Sequence, residues 1–145
     1  MRKAGIFARL IAFIIDGFVL SLFAGLITFI IALISDIDLN LSNEHFSVVS
    51  QSASVILAIS LTFLEFIYFG FLWGTYGKSV GMSIFDIKVV RTGGDPVGFW
   101  RAGLRGTIGY WISGLIFGLG YIWALFDTRR QAWHDKLFDT LVVKG

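Results

Sequence analysis

Two carboxylates interrupt otherwise apolar runs, Asp16 in Ala12-Phe13-Ile14-Ile15-Asp16-Gly17 and Glu65 in Phe63-Leu64-Glu65-Phe66. In a medium of low dielectric constant, a pair of such groups resists double ionisation and holds a proton or a monovalent cation such as Na⁺. An intramembrane acid is therefore read first as a point on an ion or proton route. The competing reading is structural: each acid is protonated or neutralised by an arginine and fixes helix packing. Arg9 lies seven residues before Asp16, close to the same helix face, and its side chain is long enough to meet an acid from another segment.

A second set of directional side chains occupies the tail, where Asp127, Arg129, Arg130, Gln131, His134, Asp135 and Lys136 fall within ten residues. His134 beside Asp135 reads as a hydrogen-bond partner rather than a catalyst. The other histidine, His45, is expected on the opposite membrane face, so the two cannot share a metal, and the absence of Cys removes thiolate zinc sites and thiol catalysis. Ser79 and His134 do not form a recognisable nucleophile and base, so no enzyme and no cofactor is expected. Gly77-Lys78-Ser79 is not a phosphate loop, because Leu72 stands where that motif needs a glycine and no strand precedes it.

These groups must be positioned by a membrane architecture. The 145 residues are 56% hydrophobic and 15% charged, with a mean hydropathy of +0.78. Soluble domains carry about 25% charge, so the bilayer is the expected partner and nucleic acid is not. One module spanning residues 1–145 is expected, mainly α-helical. A crossing helix needs about 20 apolar residues. Leu10 to Ile34 and about Ser52 to Trp73 meet that condition, and the presence of Asp16 with no small-residue cleavage site makes the first a retained helix rather than a signal sequence. By helix rise both acids would lie about 9 to 12 Å inside the same half of the bilayer, where they can face each other.

Of twelve Lys and Arg, three precede Leu10, none lies between Ile34 and Trp73, five fall between Gly74 and Gly106, and four follow Phe126. The positive-inside rule then places the N-terminus in the cytoplasm and Ser35 to Gln51, with Asp36, Asp38 and Glu44, outside; Asn40-Leu41-Ser42 in that loop is a formal glycosylation acceptor. The third apolar segment, Thr107 to Phe126, has basic sequence on both flanks and several glycines. It is expected to return to the cytoplasmic side as a re-entrant or interfacial hairpin within residues 97–126, with arms of about ten residues and its turn near Ser113-Gly114. Three full spans are the alternative.

On the cytoplasmic side, the run Ile84 to Arg91 alternates as a strand and ends in Thr92-Gly93-Gly94-Asp95-Pro96, which is turn chemistry. Thr140 to Lys144 is a second β-prone run, expected to pair with the first as a small ribbon. Val97 to Gly106 reads as an amphipathic helix with Phe99 and Trp100 toward lipid and Arg101 and Arg105 toward headgroups or protein. Among the small-residue repeats, Gly114-x-x-x-Gly118 lies best within an apolar stretch, ahead of Gly70-x-x-x-Gly74 and Gly77-x-x-x-Gly81.

Taken together, Arg9, Ala12 to Gly17, Gly74 to Gly81 followed by Ile87 to Val90, and the tail from Phe126-Asp127 through Trp133-His134-Asp135-Lys136 to Val143 resemble the RDD family of membrane proteins, named for one Arg and two Asp. The resemblance implies that Arg9 and Asp16 are the family's Arg and first Asp. The second Asp falls on Asp135, with Asp127 as its rival; Glu65 is not a named position. The family is one of small, mostly bacterial integral membrane proteins to which transport, cation/proton antiport included, has been ascribed. The resemblance and the residue reading together give a polar cluster of Arg9, Asp16 and Asp135 near the cytoplasmic face of a multi-pass cell-membrane protein. That cluster either carries Na⁺ or H⁺, which for so small a chain requires a homo-oligomer, or clamps the tail in a membrane scaffold that binds lipid or another protein.

Overall fold

The computed structural model describes residues 2–34 and 43–145, with side chains described outside 31–53. Two helices of 29 residues dominate it: α1 (Ile6–Ile34) and α2 (Asn43–Phe71). Neither contains proline, and each carries a stretch long and apolar enough to cross a bilayer. Phe7, Phe29 and Ile56 stand exposed along them, as helices solvated by lipid require. The second helix starts nearer the first than expected: the loop read as reaching Gln51 gives way to helix at Asn43. Asp36, Asp38 and the Asn40-Leu41-Ser42 acceptor lie outside the described residues, as do the side chains of Glu44 and His45.

Beyond Phe71 the second helix widens into a π-helical turn, Leu72–Tyr76, and stops at Gly77, whose φ of 70° supplies a left-handed cap. A short helix α3 (Val80–Ile84) follows, its N-cap Ser79 accepting from the Met82 amide at 3.4 Å. That cap takes the first residue of the expected strand into helix, and β1 begins only at Ile87, running to Arg91. It pairs antiparallel with β2 (Thr140–Lys144) in the register Val89 opposite Val142, so the expected ribbon forms. Residues 2–4 add a partner that the sequence did not disclose. Lys3 bridges Val143, the Ala4 amide donates to Val142, and the Lys144 amide donates to Arg2, leaving β2 between two neighbours.

The third apolar segment is neither a closed hairpin nor a straight span. Helix α4 (Phe99–Leu104) continues through a second π-helical turn, Arg105–Gly109, into α5 (Tyr110–Gly114), and α6 (Leu119–Phe126) leaves it at 93°. The corner lies one turn later than Ser113-Gly114, because Phe117 (φ 49°) and Gly118 (φ 74°) hold the left-handed conformations that redirect the chain. Phe117 at its tip is 99% exposed. The last helix, α7 (Trp133–Leu137), precedes β2.

Packing concentrates where α1 begins and α2 ends. Ala12, Phe69, Trp73, Ile87, Val89 and Val142 form the buried centre there. Close approach depends on glycine, though not at Gly114, which has open space around it. A Cβ on Gly81 would stand 2.1 Å from the Ala12 carbonyl oxygen, so α3 can rest on α1 only because that atom is missing.

Candidate functional site

Asp135 is the junction of the tail. Its third-position place in α7 lets Oδ2 accept from the Ala132 amide at 3.0 Å and hold the helix start. Two guanidinium groups then meet the same carboxylate. Arg9 Nη2, from the first turn of α1, donates to Oδ2, and Arg105 donates to Oδ1 from Nη2 at 2.5 Å and Nε at 3.1 Å. Arg9 Nη1 also donates to the Arg130 carbonyl at 2.6 Å, and Arg105 Nε reaches Thr140 Oγ1 at 3.1 Å. Burial pushes the Asp135 carboxyl up, but the Arg105 and Arg9 charges outweigh it and hold the group well below the usual carboxylate range. The result ties α1, the second π-helical turn and α7 to one charged atom pair, and Thr140 extends it to β2.

Arg105 is 1% exposed, and its guanidinium carbon lies 4.5 Å from the centroid of Trp73. Its Nη1 and the Trp73 Nε1 are buried without hydrogen-bond partners among the described residues. The amphipathic reading placed Arg105 toward headgroups or protein; protein is what it meets. Trp100 does face outward, whereas Phe99 packs edge-on against Phe66 and Arg101 turns to the Phe138 carbonyl at 3.2 Å.

Asp16 belongs to a different contact. Its Oδ1 accepts from Tyr68 Oη and the Gly81 amide, both at 2.8 Å, while Oδ2 accepts from Ser79 Oγ. The carboxylate is 2% exposed and joins α1 to α2 and α3. The expected single cluster of Arg9, Asp16 and Asp135 is thus divided: Asp16 lies about 10 Å further along α1 than Arg9 and bonds to other partners. Glu65 is not brought to it either. It is half-buried beside a cavity of about 300 Å³ that Gly17, Ser21 and Thr62 also line, and it makes no hydrogen bond or ion pair among the described residues.

The remaining tail residues are also engaged. Asp127 Oδ2 accepts from the Arg129 and Gln131 amides at 3.0 Å, and Oδ1 pairs with Lys136 at 2.5 Å, the contact that lowers the Asp127 pKa. His134 Nδ1 is 2.8 Å from Ser113 Oγ, which also accepts from the His134 amide at 3.1 Å. The other ring nitrogen, Nε2, lies 3.5 Å from Asp135 Oδ1. Burial pushes the imidazole down to about 3, so it is neutral and wedged among Tyr110, Tyr121 and Ser113. Among the described residues no group of acids and histidines is arranged to hold a metal ion.

Residues not assigned to these acids by the sequence thus complete both contacts: Arg105 and Thr140 around Asp135, and Tyr68, Ser79 and Gly81 around Asp16. Each lies at least 30 residues from its acid, except Thr140, and local spacing carries no signal for such partners. Thr140, only five residues after Asp135, opens the second β-prone run and was legible there as strand rather than as a ligand of the acid.

The model of the RDD family matches residues 3–139. A proline-rich antigen homolog of Mycobacterium tuberculosis (strain CDC 1551 / Oshkosh) is 33% identical over 99 residues, covering 67% of this chain and 40% of that protein. The uncharacterized protein YxaI of Bacillus subtilis (strain 168) is 26% identical over 152 residues, covering 98% of this chain and 97% of its own. The proline-rich antigen of Mycobacterium leprae (strain TN) is 28% identical over 76 residues, 52% of this chain and 30% of that protein. The chain therefore spans well under half the length of these mycobacterial relatives. No solved structure matches.

Proposed function

The chain belongs to the RDD family, and from that premise we propose that it is a non-transporting membrane scaffold whose Arg and Asp residues hold the fold while its surface binds lipid or a partner membrane protein. The observation that carries this reading is the use of the acids. Asp16 receives three donors, and Asp135 receives two guanidinium groups and an amide. A carboxylate that alternately takes and releases Na⁺ or H⁺ needs oxygens free to exchange ligands. These are spent within the protein, and removing either partner of a buried pair is costly by about 3–5 kcal/mol.

The scaffold would sit in the cell membrane as a multi-pass protein, with the N-terminus, the ribbon and the tail in the cytoplasm, where most of the Lys and Arg are. The bent segment would then be re-entrant, its exposed Phe117 reaching into lipid and both ends on the basic side. Of the nine basic residues after Trp73, all but the buried Arg105 suit anionic headgroups, at about 1 kcal/mol for each one near the surface.

Glu65 supports a second reading. It is a half-buried acid in a span, beside a cavity whose other polar groups are Ser21 and Thr62 hydroxyls, and in a homo-oligomer it is the group that would take H⁺ or Na⁺. Reconstitution separates the two. Liposomes carrying the protein and a proton gradient are expected to show no dissipation when Na⁺ or Li⁺ is added. Dissipation that disappears in Glu65→Gln and persists in Asp16→Asn would replace the scaffold with a transporter working through Glu65.

A further inference from the structure

We propose that the cavity between the start of α1 and α6 is a binding site for one anionic phospholipid, with its phosphate at Arg9 and an acyl chain along Phe13, Ile122 and Leu125. The cavity has a volume of about 450 Å³, within the roughly 300–1,000 Å³ of small-molecule sites. Its two ends differ in chemistry. Arg9, Arg105 and His134 contribute to one, and the remaining wall is almost entirely apolar.

Charge decides which headgroup fits. Arg9 and Arg105 bring two positive charges to this end, and Asp135 returns one negative charge. His134 is neutral. One positive charge is left over beside an apolar cavity, and a zwitterionic headgroup would bring its own cation there. Arg9 is the group that can be reached: its side chain is 12% exposed, and only two of its five N–H groups are spent, on Asp135 and the Arg130 carbonyl. A guanidinium with free N–H groups matches phosphate oxygens in a directional way that an ammonium does not.

Depth and access decide that the ligand comes from the bilayer. Arg9 occupies the first turn of a span, at the level of lipid headgroups, and Phe13 lies one turn, about 6 Å, deeper. Leu10, Phe13, Ile122 and Leu125 line the cavity and are all exposed, so it is open along the apolar helices, at the depth of acyl chains. A lipid thus enters sideways, with no need for its headgroup to cross an apolar layer. The proposal names the ligand of the scaffold reading and rests on it only in requiring that the site stay occupied.

The test is lipid retention by the full chain. Protein purified in mild detergent is delipidated, offered equal amounts of phosphatidylglycerol and phosphatidylcholine with identical chains, and weighed by native mass spectrometry. Phosphatidylglycerol is expected to be retained over phosphatidylcholine by about tenfold, because both offer Arg9 a phosphate but the choline cation of the second meets the left-over positive charge. Ile122→Trp and Leu10→Trp, which narrow the cavity from opposite walls at exposed positions, are each expected to reduce that retention with an unchanged circular dichroism spectrum. Equal retention of the two lipids, retention unaltered in whichever Trp variant is folded, or displacement by excess inorganic phosphate would overturn the proposal. If ion flux is observed and phosphatidylglycerol is still retained, the scaffold reading fails and the lipid site stands; no flux and no selectivity is the converse.

Discussion

Arg105 rests over the ring of Trp73, guanidinium carbon to ring centroid 4.5 Å, and each residue belongs to a π-helical turn of its own helix. A π turn rotates its side chains relative to the regular α-helical faces, and here two of them turn a cation and an indole toward each other beneath Asp135. The ring offers the desolvated guanidinium an attractive surface on the side of Nη1, which has no hydrogen-bond partner among the described residues.

Arg105→Lys keeps the charge but loses the planar stacking and the two-pronged contact with Asp135. It should lower stability by about 2 kcal/mol, the scale of a desolvated cation–π contact. The check is the thermal midpoint of the detergent-solubilised protein; an unchanged midpoint would show that charge alone suffices.

Asp135→Asn leaves Arg9 and Arg105 facing each other with no carboxylate between them. Loss of a buried ionic partner costs about 3–5 kcal/mol, so this variant should melt far below the parent or fail to accumulate. Asp127→Asn removes a contact with an exposed lysine and should cost under about 1 kcal/mol. The contrast decides between the two aspartates as the structural member of the motif.

Two glycines beside Asp16, Gly17 next to it in α1 and Gly81 bonded to it from α3, should respond differently to alanine. Gly81→Ala drives a methyl into the Ala12 carbonyl and is expected to cost about 3 kcal/mol or more. Gly17→Ala meets nothing within 4 Å on a helix and should be neutral or stabilising, by up to about 1 kcal/mol. Equal effects on the thermal midpoint would contradict the close contact of α1 with α3.

Stability should fall on acidification from near neutrality. His134 titrates at about 3 in the folded protein against 6.5 without its surroundings. As the pH drops below about 6.5, the unfolded chain takes up a proton that the folded chain refuses. Stability is therefore fully present above that value and is lost toward pH 3, by about 1.4 kcal/mol per pH unit at the steepest. Asp135, with its depressed pKa, adds a loss of the same sign at the acid end. Denaturant titrations of the parent and His134→Gln at several pH values would test this, the variant being expected to show a flatter dependence between pH 6.5 and 4.

The spans and the ribbon were legible in the sequence because their signals are local: long apolar runs for α1 and α2, each interrupted by one acid, and alternation for β1 with its turn. The corner was not, since its position and its 93° angle rest on the left-handed backbone of Phe117 and Gly118, and phenylalanine does not signal such a conformation. The pairing of Arg9 with Asp135 was anticipated as a clamp. The separation of Asp16 from it was not, because the three donors to Asp16 lie 52, 63 and 65 residues away and are a tyrosine, a serine and a backbone amide, none of which advertises itself.

The wide sequence separation of Arg9 and Asp135 also sets an order in time. The two are 126 residues apart, so at roughly 5–20 residues per second the ribosome takes about 6 to 25 s to supply the acid after the arginine. During that interval the guanidinium at the start of α1 has no Asp135 to meet, and Arg105 arrives before Asp135 as well. The nascent protein thus passes through a stage with two cations whose shared carboxylate has not yet been made, and a chain cut short before α7 would keep both unmatched.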